Sequence, residues 1–272
     1  MVQRVIKVHE QGGFKLLKFS SNSRAVLDSL DPEIVAEQKQ DGIRVLGIKW
    51  DLQSDEFVFP FNFPKLDALY RTGKAVPTMR QLLKFMMGIF DPLSLLSPVT
   101  IQLKFIFQEL WRLQSGWDDE IPDGLVPRWM EWLKETAKLG EIRLPRYYYP
   151  TVPSFDNVEL HAFCDASDKA FACVIYMVHH REGKSHVTLV YAKSRVAPLK
   201  AQTVPRLELQ GCVLASQMIH VLQSELTIEV KKIFFWSDSK ICLSWLKTNQ
   251  KLTAYVGARV MQIKENGHGV EL

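Results

Sequence analysis

Up to about residue 76 the apolar positions come in short runs. Val2–Val8 suits a strand or a helix, and Phe14–Phe19 alternates as a strand does after the turn at Gly12-Gly13. Ser20–Ser23 reads as a loop or cap before a short helix around Arg24–Leu30. Ile43–Trp50 and Glu56–Phe61, joined by Asp51–Asp55, predict a β-hairpin. From Thr78, a plausible N-cap, the period becomes helical: Leu82, Leu83, Phe85, Met86 and Ile89 form a stripe. Asp91-Pro92 and Ser97-Pro98 stop or bend that helix. Val99–Leu113 and Pro127–Leu139 predict two more, the last carrying Trp129 and Trp132, whose size suits a core. Pro145–Pro153, with three tyrosines at 147–149, reads as a linker.

Beyond the linker the pattern is that of a sheet. Val158, Leu160, Ala162 and Cys164 share one face of a strand, with Glu159, His161, Phe163 and Asp165 on the other. Phe171–Val178 is a continuous apolar run, as a strand covered on both faces shows. A turn at Glu182-Gly183-Lys184 leads to a third strand, Val187–Ala192, completing an antiparallel meander. Thr203-Val204-Pro205 opens a helix running to about Leu226, with the stripe Leu207, Gly211, Leu214, Met218 and Val221. Ile233–Trp236 is a short buried strand, which a crossover helix should leave parallel to the first. Ser239 caps a helix at Lys240–Lys247, and a last helical pattern runs from Thr253 to about Glu265. The expected class is α/β, α+β overall, in four segments: 1–76, a helical 77–144, a linker 145–157, and a mixed-sheet domain 158–272.

Composition narrows this little. With 272 residues, 47% hydrophobic and 24% charged, the chain suffices for one large or two modest cored domains. A formal net charge of +4 permits a polyanionic partner without requiring one. Cys164, Cys173, Cys212 and Cys242 form no C-x-x-C pair, and no His stands at ligand spacing from them. They read as small core residues in a reducing compartment. No signal-peptide core or membrane-length apolar run is visible, so an intracellular, non-secreted protein is expected, cytoplasmic or nuclear.

The candidate chemistry lies in three acids. If the strands at Leu160 and Ile233 are parallel neighbours, Asp165 and Asp238 leave them at the same, carboxyl edge, where open α/β sheets place their sites. The helix between them could bring Glu208 over that edge. Three carboxylates about 4 Å apart repel by roughly 4 kcal/mol per pair at an effective dielectric near 20, so one would take up a proton unless a cation intervened. Oxygen ligands without His or Cys point to Mg²⁺ or Mn²⁺, and two such ions could clamp a phosphodiester for hydrolysis. Each acid also has an ordinary reading: a turn former, a helix residue and a helix start.

The stretch Tyr191–Lys200 followed by Thr203–Leu209 resembles the polyprotein of Bel/Pao-type LTR retrotransposons, where a ribonuclease H domain follows the reverse transcriptase. Phe163–Ser167 and Phe235–Lys240 fit the same region, and Gly13–Ser23, Leu46–Asp51 and Phe90–Pro98 look like the end of that reverse transcriptase and its connection. The resemblance implies a ribonuclease H-like fold and Mg²⁺- or Mn²⁺-dependent cleavage, by two ions, of the RNA strand of an RNA–DNA hybrid, with the rest of the Pol polyprotein as partner and no membrane. Asp165, Glu208 and Asp238 fall on three of the family's acidic positions, as catalytic and metal-binding residues.

The sequence also departs from the family. The polymerase aspartates lie upstream of the matching segment. The fourth acid and a further strand are expected beyond this C-terminus, implying a truncated fragment with an open edge beside Ile233–Trp236 and lower solubility. Ser94 stands where the family more often has Gly. Two other readings compete: a non-catalytic nucleic-acid-binding remnant, and an aspartic peptidase, after the label Pao retrotransposon peptidase. The chain has no Asp-Thr-Gly or Asp-Ser-Gly, and Asp41-Gly42 and Asp123-Gly124 are turn signals.

Overall fold

The computed structural model describes residues 1–36, 43–45, 48–59, 68–148, 157–267 and 270–271. The chain forms two compact units, one from Met1–Phe61 with Lys138–Tyr147, the other from Asn62–Ala137 with Tyr148–Leu272.

The first unit holds helices α1 (Val2–Gln11) and α2 (Arg24–Asp28) and the strands β1 (Ile43–Val45), β2 (Ile48–Asp51), β3 (Glu56–Val58) and β4 (Arg143–Pro145). The strands form an antiparallel sheet in the order β1-β2-β3-β4. The expected hairpin is β2–β3, closed by the pair Asp51 and Glu56. Its turn is held from within: Asp51 accepts from the Gln53 N–H at 3.0 Å, and the Trp50 indole donates to Asp55 at 2.8 Å. Residues 60–61, expected in the second hairpin strand, lie outside the described residues, as do 41–42 and 149. The strand expected at Phe14–Phe19 does not form. Lys18 has φ 63°, which breaks the extended alternation, and only Phe19 bridges, to Val35.

The second unit begins with α3 (Ala68–Arg71), α4 (Met79–Gly88), α5 (Ser97–Arg112) and α6 (Val126–Ala137). Thr78 caps α4 by accepting from the Gln81 N–H. Asp91 organises the entry to α5, its two carboxylate oxygens accepting from Leu95 and Leu96 N–H at 2.9 and 2.7 Å. Between them Ser94 sits in the left-handed region, φ 54°. Phe85, Trp129 and Trp132 close a ring cluster, Trp129 and Trp132 stacked 5.3 Å apart, so these aromatics are core.

The same unit continues with β5 (Asn157–Ala166), β6 (Ala170–Arg181), β7 (Lys184–Val196), α7 (Val204–Glu225), β8 (Lys232–Trp236), α8 (Lys240–Lys247), α9 (Ala254–Asn266) and β9 (Val270–Glu271). The sheet order is β7-β6-β5-β8-β9. The first three strands are antiparallel and β8 is parallel to β5. The β6–β7 turn is a two-residue one, with Glu182 and Gly183 both at positive φ, 50° and 74°, as the right-handed twist of a hairpin favours. β5 buries Val158, Leu160, Ala162 and Cys164 against α7.

Three expectations need correction. β6 is not covered evenly: Phe171, Cys173, Ile175 and Met177 are buried and the residues between them only half so. The stripe of α7 is wider than one face, because β5 and β6 cover one side and α9 another, and Val221 falls outside it, exposed. β8 is not an edge strand: β9 pairs parallel to it, Ile233 with Val270 and Phe234 with Glu271, because the chain turns back after α9. Among the described residues no helix is long and apolar enough to cross a membrane.

Candidate active site at the ends of two parallel strands

β5 and β8 run in the same direction, with Phe163 opposite Trp236. Asp165 and Asp238 each follow that pair by two residues, Asp165 still within β5 and Asp238 just past the end of β8, so both acids stand at the same edge of the sheet. Both are exposed. Both line a cleft of about 890 Å³ whose walls include Phe163, Trp236 and Tyr176 from the sheet and Ile101 and Phe105 from α5. Lys193 supplies a positive charge to the same lining. The rings below the acids form a stack: Phe163 and Trp236 lie 5.8 Å apart at 11°, and Trp236 stacks on His161 at 6.0 Å.

Glu208 comes from the other side of the sheet. α7 starts after Thr203 with Pro205 in its first turn, which places Glu208 in the second. One turn on, Gly211 lets the helix backbone settle on the sheet: a Cβ there would stand 3.3 Å from the Asp165 carbonyl oxygen and 3.4 Å from that of Ala172. Glu208 is half-buried, and its Oε2 accepts from the Ser239 hydroxyl at 2.6 Å. The structure therefore brings Asp165 and Asp238 into one cleft and ties Glu208 to the residue after Asp238. It does not gather all three: among the described residues no group of three or more His, Cys, Asp or Glu side chains could hold a metal ion. In kind, the three carboxylates are hard oxygen donors suited to Mg²⁺ or Mn²⁺.

Three thiols are buried in the core that β5, α7 and α8 share. Cys164 Sγ is 3.4 Å from Cys212 Sγ, and Cys242 donates to the Pro205 carbonyl at 3.5 Å. The Cys164 contact and burial push the Cys212 thiol up, and the Cys212 contact and burial do the same for Cys242. The Cys212 and Cys242 thiols thus stay uncharged at neutral pH, and the cysteines are all free.

A second group escaped the sequence reading. Arg206 and Arg259 flank the ring of Tyr255, their guanidinium carbons 4.8 and 3.5 Å from its centre. The Tyr255 hydroxyl donates to Gln202 at 2.8 Å. Neither arginine pairs with a carboxylate among the described residues. Arg206 precedes Glu208 by two residues on α7, a spacing that turns the two side chains to different sides of the helix. The i, i+4 spacing of Tyr255 and Arg259 on an expected helix was the available signal.

The family model described as Pao retrotransposon-like RNaseH-like domain matches residues 78–239, more than half of the chain and all three acids. No curated protein matches the chain. Among solved structures, the RNase H1 of Halobacterium salinarum NRC-1 is 12% identical over 42% of this chain and 80% of its own, with a TM-score of 0.28. A foamy viral protease-reverse transcriptase in complex with double-stranded DNA is 13% identical over 84% of this chain and 37% of its own, with a TM-score of 0.45. LC11-RNase H1, in complex with an RNA/DNA hybrid, is 12% identical over 40% of this chain and 77% of its own, with a TM-score of 0.26.

Proposed function

Because the chain belongs to the Pao retrotransposon-like RNaseH-like domain family, we propose that its ribonuclease H-like domain hydrolyses the RNA strand of RNA–DNA hybrids within a Pol polyprotein. The observation that supports this reading is that Asp165 and Asp238, following parallel neighbouring strands, line one cleft. Asp165 and Asp238 would hold Mg²⁺ or Mn²⁺, with Glu208 as the third carboxylate. Such ions supply Lewis acidity toward a phosphodiester. Asp165 and Asp238 would also help orient the scissile phosphate by fixing where positive charge can sit. Arg206 and Arg259, which have no carboxylate partner among the described residues, receive backbone phosphates. In this reading residues 1–76 are the end of a reverse transcriptase, 77–144 its helical connection, and 158–272 the nuclease domain.

The test is cleavage of a labelled hybrid in Mg²⁺ by the full chain, its Asp165→Asn and Asp238→Asn variants, and the chain with chelator. Cleavage by the parent alone supports the reading. An inert parent that still binds the hybrid supports a second reading, nucleic-acid binding without hydrolysis. One observation favours that alternative: among the described residues the three carboxylates do not form a group that could hold a metal ion.

A further inference from the structure

Ser239 is 6% exposed and makes two hydrogen bonds with one hydroxyl. Its oxygen accepts from the Cys242 N–H at 3.2 Å, capping α8. Its proton goes to Glu208 Oε2 at 2.6 Å, at the short end of hydroxyl–oxygen hydrogen bonds. The two roles do not compete, because the cap uses a lone pair and Glu208 uses the proton. The backbone is fixed here as well, since the Ser239 N–H donates to the Ser237 hydroxyl at 3.3 Å. A side chain on α7 is thereby referenced to the loop that carries Asp238, across 31 residues of sequence.

We propose that Ser239 is a positioning residue, holding one oxygen of Glu208 on the Asp238 loop so that the other is available to a hard cation shared with Asp165 and Asp238. This rests on the metal-site reading above. A hydrogen bond to Oε2 removes one of the two ways the carboxylate could turn. It also ties any movement of α7 to the Asp238 loop. Without it, a half-buried Glu208 would sample rotamers that the cation must then reorder.

The experiment is calorimetric binding of Mn²⁺ to the full chain without nucleic acid, with circular dichroism confirming that each variant is folded. Ser239→Gly removes the hydroxyl while largely keeping the helix start, since Gly is tolerated at an N-cap. It should weaken Mn²⁺ binding by about 10-fold, as loss of a partner that orients a ligand does. Ser239→Thr should restore the parent affinity. In the Ser239→Gly background, Glu208→Gln should weaken binding by much less than it does alone, because the two act as one unit. Unchanged affinity in Ser239→Gly, with binding lost in Asp238→Asn, would overturn the positioning role and leave the metal site standing. Equal Mn²⁺ binding by the parent and Asp238→Asn would overturn the metal site itself.

Discussion

Gly211 on α7 lies against Asp165 at the end of β5, so closely that a Cβ would come within 3.3 Å of the Asp165 carbonyl oxygen. The helix bearing Glu208 is set onto the sheet at this point, and the absent side chain fixes its height. Gly211→Val would force helix and strand apart by adding three carbons to a closed contact. Overpacking of this kind costs about 1–3 kcal/mol. Denaturant unfolding should show that loss, and hybrid cleavage should fall further than the population of folded protein explains, because Glu208 moves with the helix.

Arg206 and Arg259 offer a test of phosphate binding separate from the chemistry. Replacing either by Ala should weaken hybrid binding with little dependence on sequence. Each should also reduce the slope of log affinity against log salt by about 1. Titrations in fluorescence anisotropy at several salt concentrations measure this, and an unchanged slope would place the cluster outside the interface.

Glu159, at the start of β5, bears on stability against pH. Burial raises its pKa, but hydrogen bonds from His180 and His161, at 3.2 Å each, outweigh it and hold the carboxyl below 4.5. A carboxyl lowered in the folded state favours folding above its unfolded pKa, and that contribution is lost as pH falls through the folded value. The parent should therefore lose stability between about pH 5 and pH 3 more steeply than Glu159→Gln. Thermal melts across that range decide it; equal slopes would mean the histidines give the carboxylate no net support.

Ser94 carries φ 54° between the two N–H groups that bond Asp91 and the turn before them. A non-glycine residue there costs on the order of 1 kcal/mol in backbone strain. Ser94→Gly should relieve it, offset in part by the extra freedom glycine has when unfolded. The expected result is a small gain, below about 1 kcal/mol, in unfolding free energy. A clear loss would mean that the serine hydroxyl holds the turn.

What could be read along the chain was what is local. Alternation over Val158–Cys164 follows from the two faces of a strand, and Ser239 is a cap because a short hydroxyl reaches the N–H three residues on. The parallel pairing of β5 and β8 followed from the crossover through α7, which hand and chain length leave few ways to make. The common edge at which Asp165 and Asp238 stand came with it. Where the pattern misled, a feature without an apolar signature intervened: one left-handed residue at Lys18 undid a strand, and a second covering layer widened the stripe on α7.

Tertiary structure alone decided which partner each polar group takes. Glu208 reads as free along the helix, yet its carboxylate is held by a hydroxyl 31 positions away. Arg206 and Arg259 meet at Tyr255 only because α7 and α9 pack together, and the cleft exists only because α5 stands over the open face of the sheet. Sequence determined strands β5 to β8 of the second unit's sheet and the caps at Thr78 and Ser239, since these depend on neighbours a few residues away. The fold decided their company, since hydrogen bonds and stacking act over a few ångströms of space whatever the distance along the chain.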